Sequence, residues 1–404
     1  MSAAEGEGIL EGTTKRAALL TAATASFLTP FMGSSVNLAL PSLAKDLHID
    51  AVVLSWVPAA YLLAAAVFLV PVGRLADIHG RKRLFLWGLV VFTVASALSA
   101  LAPSAGALIA FRFAQGVGSA MIFGTGMAIL SSVYPPHERG RAFGITVAAV
   151  YFGLSAGPVL GGLLAQHLGW RSVFASTLPL GALAIAQVLT GLKGEWAEAR
   201  GEHFDAGGSI IYGLALLALI LGLSLLPEML GVWVLLAGVA ALAVFLWWEM
   251  RHHAPVLDTT LFFRNRVFAF SNLAALINYS ATFSVVFLLS LYLQYVKGLS
   301  PQQAGFVLIF QPVVMAVFSP FAGRLSDKIE PRVVASIGMG LTTVALFLLS
   351  LIGETTGLVF VMVALMVLGL GIAFFSSPNA NAVMGSVDRK KYGVASGTVG
   401  TMRL

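Results

Sequence analysis

The residues GRLADIHGRKR at positions 73–83 concentrate charge in a chain of which only 10% of the residues are charged. The segment 51–73 before them carries no charge at all. Cations at the ends of membrane helices bind anionic lipid, whereas a carboxylate is stabilised by the positive N-terminal end of a helix dipole. The stretch therefore predicts two kinds of electrostatic contact, made by Arg74, Asp77, Arg81, Lys82 and Arg83.

A second candidate for chemistry is Arg112, a charged side chain deep inside a long apolar segment. Ionisable residues at membrane depth usually face the interior of the helix bundle and serve function. Gln115 and Ser119 follow at spacings that put them on the same helix face. Two interpretations remain open: a functional residue, and a structural arginine that donates to backbone carbonyls.

The elements that must position these residues are membrane helices. Hydrophobic residues make up 58% of the 404 residues and the mean hydropathy is +0.91, well above the composition of a soluble domain. About 20 apolar residues cross the hydrocarbon core as a helix. Twelve complete spans are predicted from the charge-free segments, with a turn at 102–106 and a thirteenth helix beginning near Tyr392; the segments are 17–44, 51–73, 84–111, 113–136, 142–166, 172–192, 206–227, 229–248, 267–296, 298–323, 333–353 and 355–387.

The charge distribution predicts the orientation of these helices. If the N-terminus is cytoplasmic, most of the 24 lysines and arginines fall on cytoplasmic segments, as the positive-inside rule requires. We therefore predict a multi-pass plasma (inner) membrane protein with a cytoplasmic N-terminus and an uncleaved first helix rather than a secretory signal. The predicted cytoplasmic segments are 1–16, 73–83, 137–141, 193–205, 249–266, 324–332 and 388–391.

Several classes of function are disfavoured. The chain has no cysteine, so disulfides and thiolate metal sites are excluded. It has no G-x-x-x-x-G-K-[ST] motif, which disfavours an ATP-driven pump unless a partner supplies the nucleotide site. The basic residues are scattered over separate loops, which is not the footprint of a nucleic-acid-binding protein. We expect no cofactor, no metal, no nucleic-acid partner and no enzyme activity.

The chain contains an internal repeat. GRLADIHGRKRLFLWG (73–88) returns as GRLSDKIEPRVVASIG (323–338), with Gly, Arg, Leu and Asp at matching positions, and GVGSA (116–120) resembles GLGIA (369–373). Parallel repeats are typical of transporters whose substrate site lies between two halves near the bilayer midplane.

The repeat predicts the domain organisation. We expect an N-terminal six-helix bundle at 1–200, a linker with two inserted membrane helices at 201–256, and a C-terminal bundle at 257–404. The repeat length predicts that this second bundle is incomplete, with roughly two spans missing.

Four segments resemble motifs of the major facilitator superfamily, specifically of its fourteen-helix drug:proton antiporter branch. Residues 73–83 match the loop signature G-x-x-x-D-x-x-G-R-[RK]-[RK], and RFAQGVGSA (112–120) resembles the helix-four motif R-x-x-Q-G-x-G. GLSAGPVLGG (153–162) matches the antiporter signature G-x-x-x-G-P-x-x-G-G, and VNLALPSL (36–43) resembles the end of helix one in that branch. The resemblance implies an all-α integral membrane protein with the major facilitator fold: two six-helix bundles with a two-helix insert between them.

The resemblance implies a gating role for the repeated aspartates. In the superfamily, the residue corresponding to Asp77 lies against the N-terminus of a helix that here starts near Gly393, and it holds the cytoplasmic side closed. Asp327 would do the same at the helix starting near Arg141. The alternative is a topological anchor without a gating role. The predicted gating and coupling residues are Gly73, Arg74, Asp77, Gly80, Arg81, Arg112, Gly157, Pro158, Gly161, Arg324 and Asp327.

The antiporter signature implies a helix that seals the two halves. Gly157 and Gly161 leave one helix face without side chains and so permit close packing, and Pro158 allows a bend. A generic packing motif is the alternative.

The chain departs from the antiporter pattern in helix one. The branch usually has an Asp where this chain has Met32, and no Asp or Glu lies inside any complete span. The proton-carrying group is therefore open: Asp77, Glu138, His167, a group in the missing helices, or none.

The cavity that these helices enclose is expected to be neutral to mildly positive and to take small amphipathic cargo. Neutral or anionic cargo is favoured over permanently cationic drugs, because no acidic anchor is present. Hydrogen bonding between helices is the alternative role for the polar members of the predicted substrate-binding set, which is Met32, Asn37, Tyr61, Gln115, Tyr151, Asn278, Tyr279 and Gln311.

The predicted function is a secondary active transporter that exports small amphipathic compounds or drugs by alternating access, with proton-coupled antiport. Two alternatives stay open: a lipid or organic-anion exporter without proton coupling, and a membrane sensor or scaffold that does not transport. The expected partners are a small amphipathic substrate, membrane lipid and protons, and the expected state is a monomer.

Overall fold

The computed structural model describes residues 3–252 and 254–404, without the side chains of 3–13 and Pro301. This part of the chain contains helices and no strand. Its α-helices are α1 Ala3–Leu47, α2 Ala51–His79, α3 Arg81–Ala100, α4 Ala105–Val133, α5 Arg139–Leu168, α6 Trp170–Ala175, α7 Thr177–Gly191, α8 Ala206–Ser224, α9 Met229–Glu249, α10 Thr260–Arg264, α11 Arg266–Leu291, α12 Pro301–Leu308, α13 Phe310–Lys328, α14 Pro331–Ser350, α15 Leu358–Gly385 and α16 Tyr392–Arg403.

The helices confirm the predicted all-α membrane architecture. Within the described residues, 12 stretches are long and apolar enough to cross a membrane, and α16 follows as a further helix. Four spans consist of two pieces each: the 3₁₀ helix Pro136–Glu138 with α5, α6 with α7, α11 with the π-helical turn Tyr292–Val296, and α12 with α13.

Local capping groups determine where several helices begin. Asp50 accepts from the Val53 N–H at 2.8 Å at the start of α2, and Asn265 accepts from the Phe268 N–H at 3.0 Å at the start of α11. A capping side chain satisfies one of the backbone N–H groups that a helix N-terminus leaves free. These caps place the helix starts next to the polar residues that interrupt the apolar segments.

The turn between α2 and α3 depends on Gly80. Helix α2 continues through the charged stretch to His79, and Gly80 then adopts a φ of 112° before α3 begins at Arg81. Glycine reaches positive φ without steric cost. The basic residues of 73–83 therefore lie at the adjoining ends of two helices.

The first six spans pack together as one bundle. Helix α1 packs along α5 and α7, and α4 packs along α2 and α3. In the second half of the chain, α15 packs along α13 and α14, with α11 beside it. The two groups meet where α5 packs on α13 and where α16 packs on α2 and α4.

Helices α8 and α9 form a hairpin at the periphery. Within the 18-residue apolar stretch of each helix, only 22% of the residues of α8 and 17% of those of α9 are buried, against 61% for α4. The hairpin contacts the rest of the molecule through α2, and the Tyr212 hydroxyl lies 3.4 Å from the Thr401 hydroxyl on α16. Its large exposed apolar surface suits a position in lipid.

One end of the molecule carries the basic segments. We call this end the basic face and define it by the segments 73–83, 137–141, 193–205, 250–252, 254–265, 324–332 and 388–391.

Candidate functional site

The carboxylate of Asp77 caps the N-terminus of α16. It accepts hydrogen bonds from the backbone N–H of Gly393 at 2.8 Å and of Val394 at 3.1 Å, and its side chain is fully buried. An anion at this position satisfies two N–H groups of the helix terminus and interacts with the helix dipole. The contact joins α2 of the first half to α16 of the second half at the basic face.

Arg81 connects this contact to two further segments, α4 and the turn before α16. Its guanidinium binds Asp77 at 2.9 Å and 2.6 Å, donates to Ser132 on α4 at 2.7 Å, and donates to the carbonyl of Arg389 just before α16. The Arg81 side chain is fully buried and stacks against the ring of Tyr392 at 5.2 Å. A planar guanidinium suits this role because its donors reach several acceptors at once.

The linker after α7 crosses the same site. Glu198 forms an ion pair with Arg81 at 3.0 Å, and Glu202 binds Arg74 at 2.7 Å. Glu195 accepts from two backbone N–H groups at the start of α3, at 2.8 Å and 3.1 Å. Sequence reasoning gave these three acidic residues no role, although their spacing in a short cytoplasmic segment was a signal for it.

Asp327 makes the equivalent contact in the second repeat. Its carboxylate accepts from the backbone N–H of Gly140 at 2.7 Å and of Arg141 at 2.8 Å, at the N-terminus of α5. It is only half-buried, and no basic side chain in the described part of the chain forms an ion pair with it. The two repeats thus make mirror contacts of unequal strength between the halves.

Glycines allow the helices to meet at both contacts. A Cβ added to Gly73 would lie 2.2 Å from the Gly393 oxygen, and one added to Gly323 would lie 2.1 Å from the Gly140 oxygen. Neither position has room for a larger residue while the halves are in contact.

The two repeated arginines differ in their surroundings. Arg74 is buried and paired with Glu202. Arg324 is exposed, and the described residues give it no ion-pair or hydrogen-bond partner. Its gating role stays a prediction.

Arg112 lies inside the first bundle. Its guanidinium donates to the carbonyl of Val57 at 3.1 Å and to the Gln115 side chain, and it stacks on the Tyr61 ring at 4.3 Å. The side-chain amide of Gln115 in turn donates a hydrogen bond to the hydroxyl of Ser96 on α3 at 2.6 Å. The network ties α2, α3 and α4 together, as the structural interpretation requires, and its role in coupling remains a prediction.

The glycine face of α5 packs within the first bundle. A Cβ at Gly157 would lie 1.8 Å from the Ser34 hydroxyl and one at Gly161 would lie 2.5 Å from Ser35, both on α1. A different face of α5 meets the second half, where a Cβ at Gly144 would lie 2.5 Å from the Ser319 oxygen. In this conformation the signature therefore joins α5 to α1, and Pro158 stands inside the continuous helix α5.

The predicted substrate-binding residues fall into three groups. Met32 and Asn278 are buried among the helices of their own bundles, and Asn278 donates to the Met339 sulfur at 3.0 Å. Tyr61 and Gln115 belong to the Arg112 network. The others are Asn37, which is exposed, Gln311, which is buried between α13 and α15, and the pair Tyr151 and Tyr279.

Tyr151 and Tyr279 meet across the interface between the halves. Each hydroxyl lies 2.9 Å from the hydroxyl of Ser376 on α15. Arg403 on α16 lies between the rings, with its guanidinium carbon 5.4 Å and 5.6 Å from their centroids. Arg403 was assigned no role from the sequence, although it is the only charged residue in the segment 392–404.

A second tether holds the start of α16 on the basic face. Lys391 binds the Asp258 carboxylate at 2.5 Å. Partial burial of Asp258 favours its protonated form, but hydrogen bonds from Lys391 and Thr260 outweigh this effect and lower the pKa of the carboxyl. The ion pair therefore persists at neutral pH.

Comparison with known proteins identifies the family. The model of the Major Facilitator Superfamily matches residues 22–404. The riboflavin transporter RibZ of Clostridioides difficile (strain 630) is 32% identical over 380 residues, which cover 93% of this chain and 82% of RibZ. The multidrug resistance protein Stp of Mycobacterium tuberculosis (strain CDC 1551 / Oshkosh) is 32% identical over 377 residues, which cover 91% of this chain and 69% of Stp.

Solved structures share the fold. The proton:xylose symporter XylE superposes with a TM-score of 0.72 at 15% identity, over 97% of this chain and 86% of XylE. At this identity the likeness concerns the fold alone. Together with the family match and the relatives named as transporters, it shows that this chain belongs to the Major Facilitator Superfamily and is a membrane transporter, not an enzyme.

Proposed function

We propose that this transporter exports small amphipathic compounds or drugs by alternating access, with proton-coupled antiport, as a member of the fourteen-helix drug:proton antiporter branch. The observation that carries the proposal is the pair of mirror contacts at the basic face, Asp77 to α16 and Asp327 to α5. Polar contacts that close one end of the interface between two halves can be broken and remade, and this is what alternating access requires.

The basic face is the cytoplasmic side in this proposal, since positively charged loops remain in the cytoplasm. The conformation is then closed toward the cytoplasm. The domain boundaries at 200 and 256 and the gating roles of the repeat residues belong to the same proposal.

Export is supported by the relative named as a multidrug resistance protein. Proton coupling requires a group that gains and loses a proton during the cycle. Asp77 is the leading candidate, because opening the basic face would remove the two N–H donors of α16 and expose the carboxylate to water, while Arg81 of the same half stays beside it.

The decisive experiment is flux in proteoliposomes that contain the full-length protein, with an imposed pH gradient and a pH-sensitive dye inside the vesicles. Riboflavin, a cationic dye and an anionic dye serve as probes. We expect transport of at least one probe, faster with the gradient than without it, and proton movement on its addition.

The same experiment separates the alternatives. Transport without proton movement would favour the uncoupled lipid or organic-anion exporter. Thermal stabilisation by a probe without any flux would favour the sensor or scaffold and contradict the proposal.

Replacement of Arg112 by alanine is expected to abolish transport and to lower the melting temperature. The change leaves the Val57 carbonyl and the Gln115 side chain without their charged donor, and each hydrogen bond to a charged group contributes about 1.5–3 kcal/mol. Flux is measured per folded protein. Arg332→Ala is the matched control, because Arg332 is an exposed arginine whose ion-pair partner among the described residues is the neighbouring Glu330. Normal proton-coupled flux by R112A would contradict the coupling role.

A further inference from the structure

A polar cluster lies at mid-depth between the two halves, far along the helices from the basic face. Tyr151 belongs to α5, Tyr279 to α11, Ser376 to α15 and Arg403 to α16, and Ser376 accepts or donates at 2.9 Å to both tyrosine hydroxyls. Each residue lies two or more helical turns from the end of its helix that is at the basic face. Transporters with repeated halves bind their substrates at this depth.

The cluster contains one positive charge, the guanidinium of Arg403. A guanidinium stays protonated in proteins, and among the described residues no carboxylate forms an ion pair with Arg403. The two ring faces stabilise the cation, but cation–π contacts are weaker than an ion pair. Arg403 is partly buried, and a partly buried charge without an ion-pair partner is stabilised by an anion that pairs with it.

The surroundings of Arg403 suit an amphipathic ligand. A small cavity of about 30 Å³ reaches Arg403 and is walled mainly by apolar side chains, with Ala22 on α1, Phe123 on α4 and Val147 on α5. This is room for little more than one water molecule. A cargo molecule therefore fits only after the halves move apart. Its anionic group would then lie beside the guanidinium of Arg403.

We propose that Arg403 and the hydroxyls of Tyr151 and Tyr279 bind the anionic group of an amphipathic organic anion that this protein carries. Arginine binds carboxylate and sulfonate groups through two parallel hydrogen bonds, and a phenolic hydroxyl adds a donor. The apolar walls take the rest of the molecule. This inference rests on the proposed transport function and specifies the class of cargo.

The test uses two dyes with the same ring system and opposite charge. Fluorescein is an anionic xanthene and rhodamine 123 is a cationic one. Their binding to the purified full-length protein in phosphatidylcholine nanodiscs is followed by fluorescence anisotropy. We expect the wild-type protein to bind fluorescein more tightly than rhodamine 123.

Substitutions assign this preference to the cluster. Arg403→Gln is expected to weaken fluorescein binding about tenfold or more while rhodamine 123 binding stays equal or improves, since a lost charge-assisted hydrogen bond has about this effect. Arg403→Lys keeps the positive charge and is expected to lose less affinity for fluorescein than Arg403→Gln. Tyr151→Phe is expected to weaken fluorescein binding about threefold. Arg332→Gln and Tyr295→Phe, both at exposed positions, are matched controls that leave binding unchanged.

Two results would overturn the inference: a wild-type protein that does not prefer fluorescein, or R403Q and R403K variants that weaken both dyes equally. The first needs no variant and holds even if R403Q fails to fold. Flux is a separate measurement. Arg403-dependent binding without flux would contradict the proposed transport function but support the anion site. Export of neutral compounds without a charge preference would support transport but contradict the anion site.

Discussion

Replacement of Asp77 by asparagine is expected to open the basic face and to reduce transport by more than tenfold. The carboxylate accepts from Gly393 and Val394 and pairs with fully buried Arg81. An amide has one acceptor oxygen, and its NH₂ group would face donors. Loss of the charged acceptor costs about 2 kcal/mol, which corresponds to a roughly thirtyfold shift of the equilibrium away from the closed state.

The opening is measured by maleimide labelling of one introduced cysteine. The chain has no cysteine of its own, so a single Ser396→Cys substitution reports one position. Ser396 is fully buried and bonds to the Phe123 carbonyl across the two halves at 2.9 Å. We expect D77N to raise its labelling rate by more than tenfold.

Asp388→Asn is the matched control for this change. Asp388 lies five residues before Gly393, is exposed, and makes no side-chain hydrogen bond at the cap. It should leave both labelling and transport unchanged. Asp327→Asn should have a smaller effect than D77N, because Asp327 is half-buried and no arginine in the described part of the chain pairs with it as Arg81 pairs with Asp77. Wild-type labelling and transport in D77N would disprove the latch.

Replacement of Gly393 by alanine is expected to prevent closure of the basic face without unfolding α16. The new Cβ would lie 2.1 Å from the Gly73 oxygen and 2.9 Å from the Asp77 carboxyl carbon. A backbone atom cannot move away without separating α2 from α16, and such overpacking costs about 1–3 kcal/mol. Alanine favours helix more than glycine does, so α16 itself should persist.

The readouts are the Ser396→Cys labelling rate and proteoliposome flux. We expect faster labelling and a loss of flux of about tenfold, which is what 1.4 kcal/mol produces. Gly385→Ala is the control, because a Cβ there meets nothing within 4 Å. If G393A acts through the same contact, its effect combined with D77N should be less than additive. A closed, fully active G393A variant would show that the helices have room at this crossing.

The membrane class and the helices could be predicted from sequence because both depend on local composition. An apolar segment of sufficient length crosses a bilayer whatever its neighbours are. The predicted break near Tyr392 is confirmed by α16, which begins at that residue. The repeat also directed attention to Asp77 and Asp327, because the same residues recur in both halves.

Other parts of the site could not be predicted, because they depend on which helix faces meet. The sequence does not indicate that Glu198 would pair with Arg81, or that the glycines of 153–162 would face α1. Met32 was expected near cargo because of its place in a motif, yet its helix turns it into the core of the first bundle.

The sequence alone therefore determined that this protein is a helical membrane transporter with a repeated charged motif, because hydrophobic length and local spacing need no knowledge of packing. Only the tertiary structure decided that Asp77 accepts one hydrogen bond each from Gly393 and Val394 and that Arg403 lies between Tyr151 and Tyr279. These residues come from distant parts of the chain. Their proximity follows from the packing of α5, α11, α15 and α16, which is set by the shapes of whole helix surfaces rather than by any single segment.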